Sequence, residues 1–201
     1  MPKRIEFGDL NLRRKGEVGV DISLGNIHYC IDPGSDISGC DVILCTHTHE
    51  RHCNIHELIH FSGTITSPTN IGTLVRPGVS IQLNELIVEA IEVYNKKEYY
   101  SQPIRHVKGC CVGYYIKTTG NTRLLYTGDT NLIDDLLKFK GMVDVLVLSM
   151  GYTWSMNPEE AFELVKSIRP AITIPVHFDT IKLYYKFRNM AYLYTNIIKM
   201  S

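Results

Sequence analysis

The sequence predicts an α+β protein in which layered sheets are flanked by helices. Three observations carry that reading. Strand signals crowd the first two thirds of the chain, helical spacing is concentrated in the last third, and several strands are unbroken apolar runs of the kind buried on both faces. At 201 residues the chain fits a single domain, 1–201, able to bury about 70% of its unfolded surface.

After a polar start, Val18, Val20 and Ile22 alternate with small or polar residues and predict a strand. Residues 27–31 continue the pattern and stop at Asp32-Pro33-Gly34, a turn signal. The apolar run 42–45 reads as a buried strand, 54–60 as a short helix, and 65–67, 79–83 and 86–94 as further strands. Residues 112–118 and 123–127 are joined across Gly120-Asn121 and predict a hairpin. Helical spacing over 132–139 precedes another buried strand at 143–148.

Asn157-Pro158-Glu159-Glu160 reads as a helix start: an N-cap, proline in the first turn, then acids at the positive end of the helix dipole. Ala161, Leu164, Val165 and Ile168 supply the apolar face of that helix, and Arg169-Pro170 stops it. Residues 172–176 form the last predicted strand. Leu183, Phe187, Met190, Tyr194 and Ile197 follow at helical spacing and read as a docking face. The pattern is compatible with two similar strand-rich halves.

The charge is balanced, with 21 basic and 21 acidic residues, so no whole-chain field draws the protein to nucleic acid or to a membrane surface. No signal-like or membrane-length apolar stretch is present. The six cysteines are scattered apart from Cys110-Cys111, and the expectation is reduced thiols in a cytoplasmic protein.

The chemistry concentrates in Thr46-His47-Thr48-His49-Glu50-Arg51-His52, directly after the buried run 42–45. Three imidazoles at a strand end can converge on one point, and neutral imidazole is the common ligand of zinc, iron and related ions. Asp129, in Gly128-Asp129-Thr130, His177 and His106 also sit beside strand ends. Alone, Asp129 reads as a helix cap and the two histidines as loop residues; beside the cluster they complete a metal site.

These residues resemble the metallo-β-lactamase superfamily. Glu92-Val93-Tyr94-Asn95, His106-Val107-Lys108-Gly109 and Gly128-Asp129-Thr130 are similar to a small prokaryotic branch of metal-dependent hydrolases related to ascorbate-phosphate lactonase and N-acylphosphatidylethanolamine phospholipase D. The resemblance spans residues 18–177 and implies a four-layer αββα sandwich, the metallo-β-lactamase fold, with hydrolysis by a metal-activated water. It implies a first metal on His47, His49 and His106, a second on His52 and His177, Asp129 bridging both, and a structural role for Asp32.

One position departs from that pattern. Where the family carries Asp, two residues after the second histidine, this chain has Arg51. Guanidinium has no lone pair to offer a metal. A fixed positive charge about 5 Å from a divalent ion, at an effective dielectric near 20, opposes it by roughly 6–7 kcal/mol. One strong metal site is therefore expected, with Arg51 paired to Asp129 in place of the second cation. Glu50 and Cys53 are the alternative ligands. His28, His56 and His60 read as structural or surface residues.

The resulting expectation is a metal-dependent hydrolase acting on an ester, lactone or phosphoester. The ion is zinc, with manganese or iron as alternatives, and Asp129 and Arg51 are its catalytic groups, Arg51 holding an anionic part of a small substrate. The alternative is a non-catalytic or regulatory metal-binding protein of the same fold. A nuclease is weaker, because 201 residues leave no room for the clamp domain that the superfamily's nucleases carry.

Overall fold

The computed structural model describes residues 4–96 and 106–200. Among them, the strands form two seven-stranded sheets, each following the order of the chain. The first contains β1 (Ile5–Phe7), β2 (Leu10–Lys15), β3 (Gly19–Leu24), β4 (Ile27–Ile31), β5 (Val42–Leu44), β6 (Thr64–Ser67) and β7 (Thr73–Leu74). It is antiparallel as far as β4 and parallel from there on. The second contains β8 (Ser80–Leu83), β9 (Leu86–Val93), β10 (Cys111–Thr118), β11 (Arg123–Tyr126), β12 (Val145–Ser149), β13 (Ile172–Val176) and β14 (Asn196–Ile197). It repeats the pattern, antiparallel up to β11 and parallel beyond.

Side-chain alternation along the strands sorts the core into layers. Leu12, Val20, Ile22 and Leu44 of the first sheet pack against Val88, Tyr114, Tyr126 and Val147 of the second, forming the inter-sheet core. The opposite faces of the same strands point outward. Tyr115, Leu146 and Leu148 meet Leu136 of α2 (Asp134–Leu137), Leu164 and Val165 of α3 (Pro158–Ile168) and Phe187 of α4 (Ile181–Ala191). On the other side, Ile43 and Ile65 are covered by Leu58 of α1 (Ile55–Leu58). The run 145–148 reads as continuously apolar because it faces the inter-sheet core on one side and the helices on the other. The order helix, sheet, sheet, helix is the αββα arrangement.

Most predicted elements appear close to where the pattern placed them, and α3 does so with a full capping box between Asn157 and Glu160. Three differ for identifiable reasons. β1 and β2 lie in what reads as a polar start: Leu10 and Leu12 point inward, but Arg13, Arg14 and Lys15 mask the alternation. The helical spacing at 132–139 yields only the single turn of α2. The tail helix closes at Ala191, and Tyr194 and Ile197 leave its register because the open edge of β13 competes for the backbone. Asn196 N donates to Ala171 O at 3.0 Å and Ile198 N to Thr173 O at 2.9 Å.

The cysteine expectation is overturned. Cys30–Cys40 and Cys45–Cys53 are disulfides, and only Cys110 and Cys111 are free thiols. The spacing hid these bonds because each joins a strand to the loop that folds back on it. Cys53 is thereby removed as a ligand, and the cytoplasmic expectation loses the support it drew from reduced thiols. Among the described residues, no helix is long and apolar enough to cross a membrane.

Candidate metal centre

Residues at the carboxyl ends of the parallel strands gather on one edge of the sandwich. Asp32 follows β4, the Thr46–His52 loop follows β5, Asp129 lies three residues past β11, Ser149 closes β12 and His177 follows β13. Of these, His47, His49, Arg51, His52, Asp129 and His177 line a cavity of about 780 Å³ together with His106, Cys110, Cys111, Thr153, Trp154 and Asp179, while Asp32 and Ser149 lie buried behind it. Hydrogen bonds across the seam fix the two halves. Tyr114 donates its hydroxyl to Cys45 O at 2.6 Å, and Val112 N donates to Thr46 O at 3.0 Å.

Asp32 is the buried anchor. It accepts from Thr46 N at 2.8 Å, Thr46 Oγ1 at 2.7 Å, Tyr126 OH at 3.2 Å and His52 Nδ1 at 2.9 Å. Its structural role is therefore to orient the histidine loop. Because the Thr46 hydroxyl gives its proton to Asp32, its oxygen accepts from His47 Nδ1 at 3.0 Å. That fixes the His47 tautomer with the lone pair on Nε2. Burial, followed by the charge on His52, pushes the His47 pKa down to about 3, so the ring is neutral and able to ligate. His106 is held similarly. Its Nδ1 meets Asn95 Oδ1 at 2.8 Å, while the amide nitrogen of Asn95 donates to Trp154 O at 2.9 Å, so Asn95 must accept from His106.

Asp129 accepts on Oδ1 from Ser149 Oγ at 2.5 Å and Ser155 Oγ at 3.1 Å. Its Oδ2 lies 3.2 Å from His52 Nε2 and 3.5 Å from His177 Nε2. Burial works against its ionisation, but the facing histidines, His52 first, hold its carboxyl well below the usual range. His52 lies between two carboxylates that only accept, so both its nitrogens carry protons. Burial would lower its pKa; Asp129 and Asp32 outweigh that and raise it to about 10.

The residues expected in the site are thus mostly brought together, with two exceptions. His49 lines the same cavity but is exposed, its ring centroid 6.2 Å from His47 and 6.1 Å from His52, and it stands outside the tighter group in which His47, His52 and Asp129 have ligand atoms within 4.8 Å of one another. The expected Arg51–Asp129 pair does not form. Arg51 is exposed on the cavity rim, and its Nε meets Glu17 Oε2 at 2.7 Å. The solvated carboxylate of Glu17, two residues before β3 begins, was closer to hand than the buried one, which His52 already occupies. Glu50 is also exposed, facing a neighbouring smaller cavity shared with Glu17 and Arg51. Ser149 and Ser155 carried no sequence signal, and Thr46 and Asn95 stood in quoted motifs without a role, since hydroxyls and amides beside strands are common and only the fold aims them.

The donor set fits a cation. His47 and His106 have their tautomers fixed, and His177 Nδ1 is buried with no hydrogen-bond partner, a state costing about 1–3 kcal/mol. Backbone strain gathers here too: Asp32 (φ 48°), Trp154 (φ 65°) and His177 (φ 61°) all adopt left-handed conformations that disfavour side chains.

The model of the β-lactamase superfamily domain matches residues 16–177, most of the chain. The chain belongs to the metallo-β-lactamase superfamily. Within that superfamily it is 29% identical over 163 residues to a UPF0173 metal-dependent hydrolase of Thermoplasma acidophilum, covering 71% of this chain and 67% of the relative. It is 26% identical to a UPF0173 metal-dependent hydrolase of Caldivirga maquilingensis over 189 residues, 84% of this chain and 82% of the relative. Among solved metallo-β-lactamase structures it is similar in fold to YhfI of Bacillus subtilis. That likeness has a TM-score of 0.72 at 16% identity and covers 92% of this chain and 90% of YhfI.

Proposed function

We propose that the protein is a metal-dependent hydrolase that uses water to cleave an ester, lactone or phosphoester in a small, anionic substrate. The observation that carries this reading is the convergence of His47, His52, His106, Asp129 and His177 on the floor of one open cavity. The relatives' shared description as metal-dependent hydrolases supports it. A divalent ion, zinc in this reading, supplies Lewis acidity and a water acidified toward neutrality.

The chain's own residues then have distinct tasks. His47 and His106 present fixed lone pairs to the ion. Asp129, pinned by Ser149 and Ser155, orients water with Oδ2; a carboxylate held so acidic is a poor base at neutral pH, so its role is alignment more than proton abstraction. Arg51 stands on the rim, where its guanidinium can take an anionic group of the substrate. Its ion pair with Glu17 is solvent-exposed and easily exchanged. One firmly held ion is proposed, because Arg51 occupies the carboxylate position and His52 already bridges Asp32 and Asp129.

The same two features favour the second reading, a non-catalytic metal-binding protein. Turnover of a panel of phosphodiesters, esters and lactones separates the two. Activity abolished by chelation and restored by zinc or manganese is the expected result. A protein that retains its metal and turns over none of the panel refutes the hydrolase and leaves the binding protein.

A further inference from the structure

Cys111 lies where neither the family pattern nor the sequence placed a ligand. It opens β10, is buried, and lines the cavity floor. Its Sγ and one nitrogen each of His47 and His106 all lie within 4.8 Å of one another. The tautomers derived above leave Nε2 as the lone-pair nitrogen on both rings. β10 cannot drift from this position, because Val112 N donates to Thr46 O in the histidine loop and Cys111 is in register with Val93. Meanwhile His49, which the family resemblance assigns to the same ion, is exposed and outside this set.

A buried cysteine is most often a small apolar side chain, and Cys111 does touch the helix-side core. That explains its burial but not its place beside two oriented imidazoles. Four of the six cysteines are consumed by disulfides, and the two that remain free both line this cavity.

We propose that Cys111 is a thiolate ligand of the first metal beside His47 and His106, making the centre selective for thiophilic ions of the zinc class over manganese and magnesium. The proposal rests on the metal-dependent reading above. Binding displaces the thiol proton to solvent and forms a metal–sulfur bond, with no change of oxidation state. Soft sulfur prefers zinc, cobalt and cadmium, whereas oxygen-only ligands suit manganese and magnesium. Cys110 Sγ lies 2.9 Å from Cys111 Sγ and is the obvious competitor for the role.

Cobalt(II) loading of the full chain, without added thiol reductant, tests this directly. The expected result is a near-ultraviolet sulfur-to-cobalt charge-transfer band alongside the visible d–d bands. Cys111→Ser should lose the charge-transfer band, keep the visible bands, and bind zinc at least about tenfold more weakly while manganese affinity changes little. Cys110→Ser should keep the band. Visible bands without charge transfer in the unmodified protein overturn the thiolate and leave the metal site standing. Loss of the band in Cys110→Ser and not in Cys111→Ser also overturns it. Failure to bind cobalt or zinc at all overturns both the thiolate and the metal-dependent reading. The measurement on the unmodified chain decides the matter even if a variant folds poorly.

Discussion

Replacing both Cys45 and Cys53 with alanine should destabilise the protein without dismantling its site. The Cys45–Cys53 disulfide spans eight residues of sequence and closes a loop carrying His47, His49 and His52. Its main effect falls on the unfolded chain, where opening a loop of about nine residues restores about 2–3 kcal/mol of closure entropy. At about 2–4 °C per kcal/mol for a chain of this size, the melting temperature should drop by roughly 5–10 °C. The native loop keeps other restraints. Cys53 N donates to His49 O at 2.8 Å, Gly34 N to His52 O at 2.6 Å, and Asp32 still grips Thr46 and His52. Metal content per chain should therefore match that of the unmodified protein. Differential scanning calorimetry and elemental analysis read the two quantities, and a thiol titration in denaturant without reductant should find two reactive thiols in the parent chain. Six reactive thiols, or a melting temperature unchanged within about a degree, would refute the reasoning.

Other perturbations give equally definite outcomes. Arg51→Asp removes an exposed ion pair worth at most about 1 kcal/mol, so the fold should survive, while elemental analysis should show metal rising from about one toward two per chain. An unchanged content would mean that the rim position does not control the second ion. Asp32→Ala strips four donors of their common acceptor and should cost about 3–5 kcal/mol in urea unfolding, with metal affinity falling about 10–100-fold. At the far edge, Arg123 holds the Asp144 carboxyl below its ordinary value of 3.8. A depressed carboxylate stabilises the fold above its unfolded pKa and loses that contribution as pH falls through the folded value. Asp144→Asn should therefore lower the melting temperature at pH 7, and the gap from the parent should close below about pH 4.

The layers of the fold were legible because alternation and apolar runs report which faces are buried. The run 42–45 and the Gly128-Asp129 turn announced themselves as strand ends, and so His47, His52, Asp129 and His177 group together on the sequence alone. What stayed hidden depends on contacts between distant segments. The partner of Arg51 was one such contact, since Glu17 lies 34 residues away in sequence and competes with Asp129 only once the loops are folded. The cysteine pairing was another, because a spacing of eight or ten residues shows neither that two thiols face each other nor that they bond. Asn95 and Ser149 belong to the same group: their chemistry is common, and only the fold points it at His106 and Asp129.

The candidate ligands are divided between the two sheets. His47 hangs from the first, while His106, Asp129 and His177 belong to the second. An ion held by both groups is therefore a rivet through the sandwich, and its binding free energy opposes any sliding of one sheet over the other. The seam is already pinned by the hydroxyls of Tyr114 and Tyr126, which reach across to Cys45 O and Val18 O. With the rivet in place, shear between the layers must break metal–ligand bonds before it disturbs the apolar core, so the halves loosen together or not at all. Occupancy of such a centre would therefore stiffen the sandwich, and a chelator would act on it as a mechanical agent.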